Sequence, residues 1–152
     1  MITQHGGIKL RKGEIHNKGE ISLQEIIDEI KRSPRINEVG AIACFIGIVR
    51  GKGKDGSRVK KLEFEAYEEE ANKVLSKICE ETIEKNGVID AHIHHNVGTL
   101  NVGEDIVYVV VAGEHREETF QALREAVERF KKEAPIWKKE HTEKGSYWVT
   151  NI

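Results

Sequence analysis

Between Phe130 and Trp148 the chain reads FKKEAPIWKKEHTEKGSYW, with lysine pairs on either side of a proline and a tryptophan. Lys131 and Lys132 fall in the last turn of a helical segment, where cations complement the helix dipole, and that placement alone accounts for Lys132. Pro135 breaks the helix. Lys131 and Lys138 therefore converge only if the chain folds back at Ala134-Pro135, with Trp137 as an apolar wall. A lysine desolvated beside other cations has its pKa lowered and can act as acid, base or nucleophile. The alternative is a solvated basic face.

Three further places could do chemistry. In GEHREETF, His115-Arg116 stands at a strand-to-helix junction, where free backbone N–H groups and a forked guanidinium favour an anion. On these residues alone, Glu117 and Glu118 already neutralise the helix end and His115 caps it. Arg50 closes the apolar stretch FIGIVRG, either as the first exposed residue or as the wall of a pocket at the sheet edge. In HIHH, strand alternation puts His92 and His94 on one face, but no third ligand is evident, so structural histidines are expected. No serine-triad signature, P-loop or dinucleotide fingerprint is present.

The charge distribution narrows the ligand. The 152 residues carry a net charge of −2, yet the window from Arg129 to Lys144 carries +3, leaving −5 for the rest. A local cationic site on an acidic body suits a small anion better than a long polyanion, and aromatic residues make up only 6%. Both features argue against nucleic acid as partner. Cys44 and Cys79 lie far apart in apolar settings and read as buried thiols in a reducing compartment. No apolar run approaches the roughly 20 residues that span a bilayer. The start lacks a signal-peptide core, so a cytoplasmic protein is expected.

The elements that must position these residues follow from periodicity. Residues 1–20 read as an arm or short edge strand, and 21–152 as a single domain. Ser22 and Glu25 form a capping box before Leu23, Ile26, Ile27 and Ile30, and Ser33-Pro34 ends that helix. VGAIACFIGIVRG has the length and β-branching of a buried strand. RVKKLEFEAY alternates at Val59, then after a one-residue slip at Leu62, Phe64 and Ala66, and is expected to pair with it as a long hairpin across GKGKDGS. A second helix buries Ala71, Val74, Leu75, Ile78, Thr82 and Ile83 and stops at Asn86-Gly87. VIDAHIHHNVG and DIVYVVVAG are strands about an LNVGED turn. A third helix turns Phe120, Leu123, Val127 and Phe130 inward, and IWKKE and SYWVT are short strands. The class is α+β, in layers.

FIGIVRG, LEFEAYEEEA, HHNVGTLNVGED, GEHREETFQA and KKEAPIWKKE, in this order and spacing, resemble the large, catalytic subunit of molybdopterin synthase, the MoaE family. The resemblance runs from about Val39 to Trp148, and its most specific piece is APIWKKE combined with the upstream His-Arg pair. It implies an α/β hammerhead fold with a mixed or antiparallel sheet and three main helices. It also implies a central homodimer within a heterotetramer. A small ubiquitin-like subunit is implied at each end, inserting a C-terminal Gly-Gly tail as a thiocarboxylate. The implied reaction moves two sulfurs to cyclic pyranopterin monophosphate, giving the dithiolene of molybdopterin, with no resident cofactor or metal. The functional lysines fall on Lys131 and Lys138, the anion-binding arginine on Arg50, and the His-Arg pair on His115 and Arg116.

The sequence departs from the family pattern in three places. Asn96 stands after His95 where members often have arginine, and the segment before Glu20 is longer and more basic. Many members continue past the last tryptophan with a basic residue that reaches the partner protomer's site, whereas this sequence stops at Ile152. The reading from a different class is a docking module that binds a Gly-Gly tail or an anionic pterin without turnover. The two are separated by whether the lysines turn substrate over.

Overall fold

A computed structural model describes residues 10–149. In chain order the elements are β1 (Gly13–Asn17), α1 (Leu23–Lys31), a 3-10 turn (Ile36–Glu38), β2 (Ala41–Ile48), β3 (Val59–Ala66), α2 (Glu68–Asn86), β4 (Asp90–Asn101), β5 (Asp105–Gly113), α3 (Arg116–Glu133), β6 (Ile136–Thr142) and β7 (Gly145–Val149). The strands form one mixed sheet. Its main path, β2-β5-β4-β3-β6-β7, is antiparallel throughout, and β1 joins β4 in parallel. The expected α+β class with three main helices is what the chain adopts. Of the N-terminal arm, residues 13–17 form a sheet strand and residues 1–9 lie outside the described part.

β4 organises the sheet because it serves both halves. Its first part, Asp90 to His95, pairs with β5, and its last part, Gly98 to Asn101, pairs with β3. Gly98 sits at the changeover with φ +94, a left-handed conformation open to glycine without a Cβ penalty. One sheet face carries α2 and α3 over a core that includes Ile15, Leu62, Phe64, Leu75, Ile78, Ile93, Val109 and Phe130. The other face is covered by α1, whose Ile26 and Ile30 pack on Tyr108, Val110 and Ala112. β1 lies close against α2: the backbone N–H of Gly13 donates to Ser76 Oγ, and Ser76 Oγ–H donates back to the Gly13 carbonyl.

Local sequence signals appear as predicted. Ser22 Oγ accepts from the Glu25 N–H at 3.2 Å, and Gly87 ends α2 in the left-handed region. The slip in RVKKLEFEAY is a register shift between Val59 and Lys61, after which Leu62 and Phe64 are buried.

Long-range pairing corrects three expectations. β2 and β3 do not form a hairpin: β2 pairs with β5, β3 pairs with β4 and β6, and only a Lys52–Arg58 bridge crosses the loop between them. β2 is not a buried strand but the end strand of the sheet. Cys44, Ile46 and Ile48 share one exposed face, so Cys44 is an exposed thiol while Cys79 is buried. Phe120 points outward, and α3 instead buries Thr119, Ala122, Ala126 and Phe130. The small residues among these let the helix lie close to the sheet.

Candidate active site

The fold-back between α3 and β6 brings the two lysines together. Ala134 leaves the helix in an extended conformation while its N–H still donates to the Phe130 carbonyl. The Pro135 carbonyl accepts from the Tyr67 N–H, which pins the turn to the start of α2. β6 then runs antiparallel to β3 with Lys138 opposite Phe64 and Glu140 opposite Leu62. Cross-strand partners share a face, so Lys138 and Glu140 turn inward and Trp137 and Lys139 turn outward. Trp137 is therefore not the wall of the lysine site, and instead meets Tyr67 edge-on at 4.8 Å. Lys139 lies over the Trp148 ring, 5.6 Å from its centroid.

Lys131 and Lys138 open onto one cavity of about 590 Å³. Arg50, Lys52 and Lys54 form its rim, and Phe64, His95 and Phe130 are among the side chains of its floor. Arg50 is held at the rim because the preceding Val49 is buried and tied by backbone hydrogen bonds to Gly103 and Glu104. Its Nε donates to the Lys52 carbonyl at 3.1 Å, which leaves the other guanidinium N–H groups to meet a ligand. Burial pushes the Lys138 pKa down, Glu140 opposes this, and Lys131, Lys54 and Arg50 push it further down. Lys131 is likewise lowered, by burial and then by Lys54. A cavity with five cationic side chains, one carboxylate from Glu140 and a largely apolar floor suits a small anion, and its two desolvated lysines can exchange protons with it.

Four polar cavity residues, Lys52, Lys54, His95 and Glu140, were not expected from the sequence. Lys52 and Lys54 sit in what reads as a plain glycine-rich turn, although their alternation with glycine was the available signal. His95 lies on the strand face opposite His92 and His94, which alternation alone could have shown. Its Nδ1–H donates to the Asn96 carbonyl at 2.7 Å, its ring packs edge-on against Phe64 and Phe130, and burial lowers its pKa to about 4. It faces the cavity as a neutral imidazole.

His115 and Arg116 are not at this cavity within one chain. They stand at the start of α3, whose 18 residues extend about 27 Å, and Lys131 lies in the final turn. Both side chains are largely exposed: His115 makes no capping hydrogen bond, and Arg116 lies 3.6 Å from Glu117. His92 and His94 do share a face, and β1 adds His16 and Glu14 beside them.

The chain is an α+β domain with helices on both faces of its sheet and a lysine–arginine cavity between α3 and β6. The family model described as MoaE protein matches residues 16–133, and the chain belongs to that family. It is 37% identical over 130 residues to the molybdopterin synthase catalytic subunit of Pyrococcus abyssi, covering 86% of this chain and 84% of that one. It is 39% identical over 132 residues to the molybdopterin synthase catalytic subunit of Bacillus subtilis, covering 87% and 81%. The crystal structure of molybdopterin synthase from Staphylococcus aureus superposes with a TM-score of 0.81 at 33% identity, covering 92% of this chain and 98% of that one.

Proposed function

We propose that this chain is the catalytic, larger subunit of a molybdopterin synthase, a sulfurtransferase acting on cyclic pyranopterin monophosphate. The observation that carries the reading is the convergence of Lys131, Lys138 and Arg50 on one cavity from three separate segments. Arg50, with Lys52 and Lys54, holds the cyclic phosphate through charge-assisted hydrogen bonds. The lowered lysines suit the two demands of the chemistry. A proton must move as oxygen leaves and sulfur adds, and an oxyanion must be stabilised when the acyl link to the sulfur carrier is hydrolysed. Sulfur arrives on the Gly-Gly thiocarboxylate tail of a small ubiquitin-like subunit, an anion that the same cations attract. The protein thus needs no resident cofactor, and the reaction takes place in the cytoplasm. Among the described residues no helix is long and apolar enough to cross a membrane.

A second copy of the chain completes the site. β2 is an end strand with an exposed apolar stripe, and an isologous contact across it reverses the strand direction. The Ala41 end of β2 lies beside Gly113, just before His115 and Arg116, while the Ile48 end leads into Arg50. A two-fold axis through the middle of β2 therefore carries His115 and Arg116 of one copy toward the Arg50 cavity of the other.

The test is conversion of the cyclic pterin by this chain with a thiocarboxylated small subunit, together with a mixing experiment. Arg116→Ala and Lys138→Ala chains, each expected to be inactive alone, should regain activity on mixing, because one mixed dimer contains one intact site. Turnover absent from the unaltered chain refutes the sulfurtransferase reading and leaves the docking module. Turnover present without complementation refutes the shared site.

A further inference from the structure

On the α1 face of the sheet, side chains from β1, β4 and their flanks form a continuous polar chain. Lys12 Nζ donates to Asp90 Oδ1 at 2.7 Å, and Asp90 Oδ2 lies 3.4 Å from His92 Nε2. His92 Nδ1 faces His94 Nε2 at 3.2 Å, and His94 Nδ1 faces His16 Nε2 at 2.8 Å. Glu14 Oε1 ends the chain 3.6 Å from the same His16 nitrogen. Parallel pairing of β1 with β4 sets Glu14 opposite His94, so residues about eighty positions apart in sequence share one face.

Proton bookkeeping orients the rings. The Asp90 carboxylate only accepts, so His92 presents Nε2–H to it and leaves Nδ1 as a lone pair. His94 must then donate from Nε2, which leaves its Nδ1 lone pair directed at His16 Nε2. Three electron-pair donors therefore converge: His94 Nδ1, His16 Nε2 once its proton moves to Nδ1, and Glu14 Oε1, all within 4.8 Å of one another. Ligands about 2.0–2.1 Å from a tetrahedral ion stand roughly 3.3 Å apart, and the separations of 2.8 and 3.6 Å bracket that value.

We propose that Glu14, His16 and His94 form a structural metal site for a zinc-like divalent ion. Two imidazoles and one carboxylate suit Zn²⁺, with water as the fourth ligand, and disfavour the all-oxygen ions Mg²⁺ and Ca²⁺. His92 is a positioning residue, since its hydrogen bond fixes the tautomer and ring angle of His94, and Asp90 fixes His92 in turn. Glu14 is the most accessible of the three ligands, its side chain 28% exposed against 11% for His16, and it marks the entry path. The ion would clamp β1 to β4 on the sheet face opposite the one where His95 meets the cavity.

The test uses the full chain stripped with chelator and titrated with Zn²⁺ alone by calorimetry. A parallel titration with Co²⁺ follows the visible absorption of a tetrahedral centre. One ion per chain should bind with micromolar or tighter affinity and raise the Tm. Glu14→Gln and His16→Ala should each weaken uptake at least tenfold, and His92→Gln by about 10–100-fold through loss of positioning. Glu14→Gln alters a partly exposed side chain, so it remains informative if His16→Ala fails to fold. No uptake tighter than about 100 µM, or uptake unchanged by Glu14→Gln, overturns the site and leaves a hydrogen-bonded histidine cluster.

Discussion

Replacing Lys138 by methionine should make the protein more stable and nearly inactive. Lys138 is a half-buried ammonium facing Phe64 across the strand pair, with Lys131, Lys54 and Arg50 near enough to disfavour its charge. Glu140 favours that charge, yet the net pKa is lowered, so the attraction is already outweighed. An ammonium whose pKa is lower in the folded chain than in the unfolded one binds its proton less tightly after folding. At pH 7 the charged side chain therefore opposes folding, and stability rises as pH climbs through the lowered pKa toward the unfolded value. Methionine keeps most of the stem and its contact with the apolar floor while removing the charge. Solvent screens part of the penalty. The expected gain is about 1 kcal/mol, the usual size of such relief, or a Tm higher by ~2–4 °C for a chain of this length. Thermal unfolding at pH 7 and at pH 10 measures it, and the gain should shrink at the higher pH as the native lysine loses its proton. A lower Tm for Lys138→Met at pH 7 would show that the ammonium stabilises the fold, and the desolvated-lysine account of the site would be wrong.

Arg50→Ala should weaken binding of the phosphorylated pterin by about 1.5–3 kcal/mol, roughly 10–150-fold in Kd, with an unchanged Tm, and calorimetry reads both sides of that statement. Ile46→Glu places a charge in the exposed β2 stripe and should halve the mass seen by light scattering. The same change should uncover Cys44, which a second copy seated on the stripe would shield from thiol reagents, while Cys79, buried and with its thiol pKa pushed up, stays unreactive until unfolding. Gly13→Ala sets a Cβ against the Leu75 backbone and should separate β1 from α2, lowering stability by about 2–4 kcal/mol in denaturant unfolding.

Legibility in the sequence followed the range of the interactions. Ser22, Gly87 and the slip before Leu62 were readable because caps, left-handed stops and strand alternation are set within a few residues. The hairpin expected of β2 and β3 does not form, because the turn composition of GKGKDGS is a local signal, whereas strand partners are chosen by contacts across the whole chain. An apolar run such as AIACFIGI reads alike whether its cover is its own core or another copy, so the exposure of Cys44, Ile46 and Ile48 was invisible. Lys131 and Lys138 could be paired only through the condition that Pro135 turns the chain back, and the structure meets it. His16 could not be joined to His94 because their contact spans 78 residues and depends on a parallel strand pairing. The distance of His115 and Arg116 from the cavity follows from helix length alone, and the sequence contained it.

On the function proposed above, the inward lysines of this cavity perform the sulfur transfer. Single-turnover conversion of the cyclic pterin with a thiocarboxylated small subunit, compared for Lys138→Ala and Lys139→Ala, tests it most directly. Lys138 points into the cavity and Lys139 lies over Trp148 on the opposite face. A loss of about 10²-fold or more is expected at position 138 and a few-fold at most at position 139. Equal losses at the two positions would contradict it, because a diffuse positive field, and not a placed proton carrier, would then be acting.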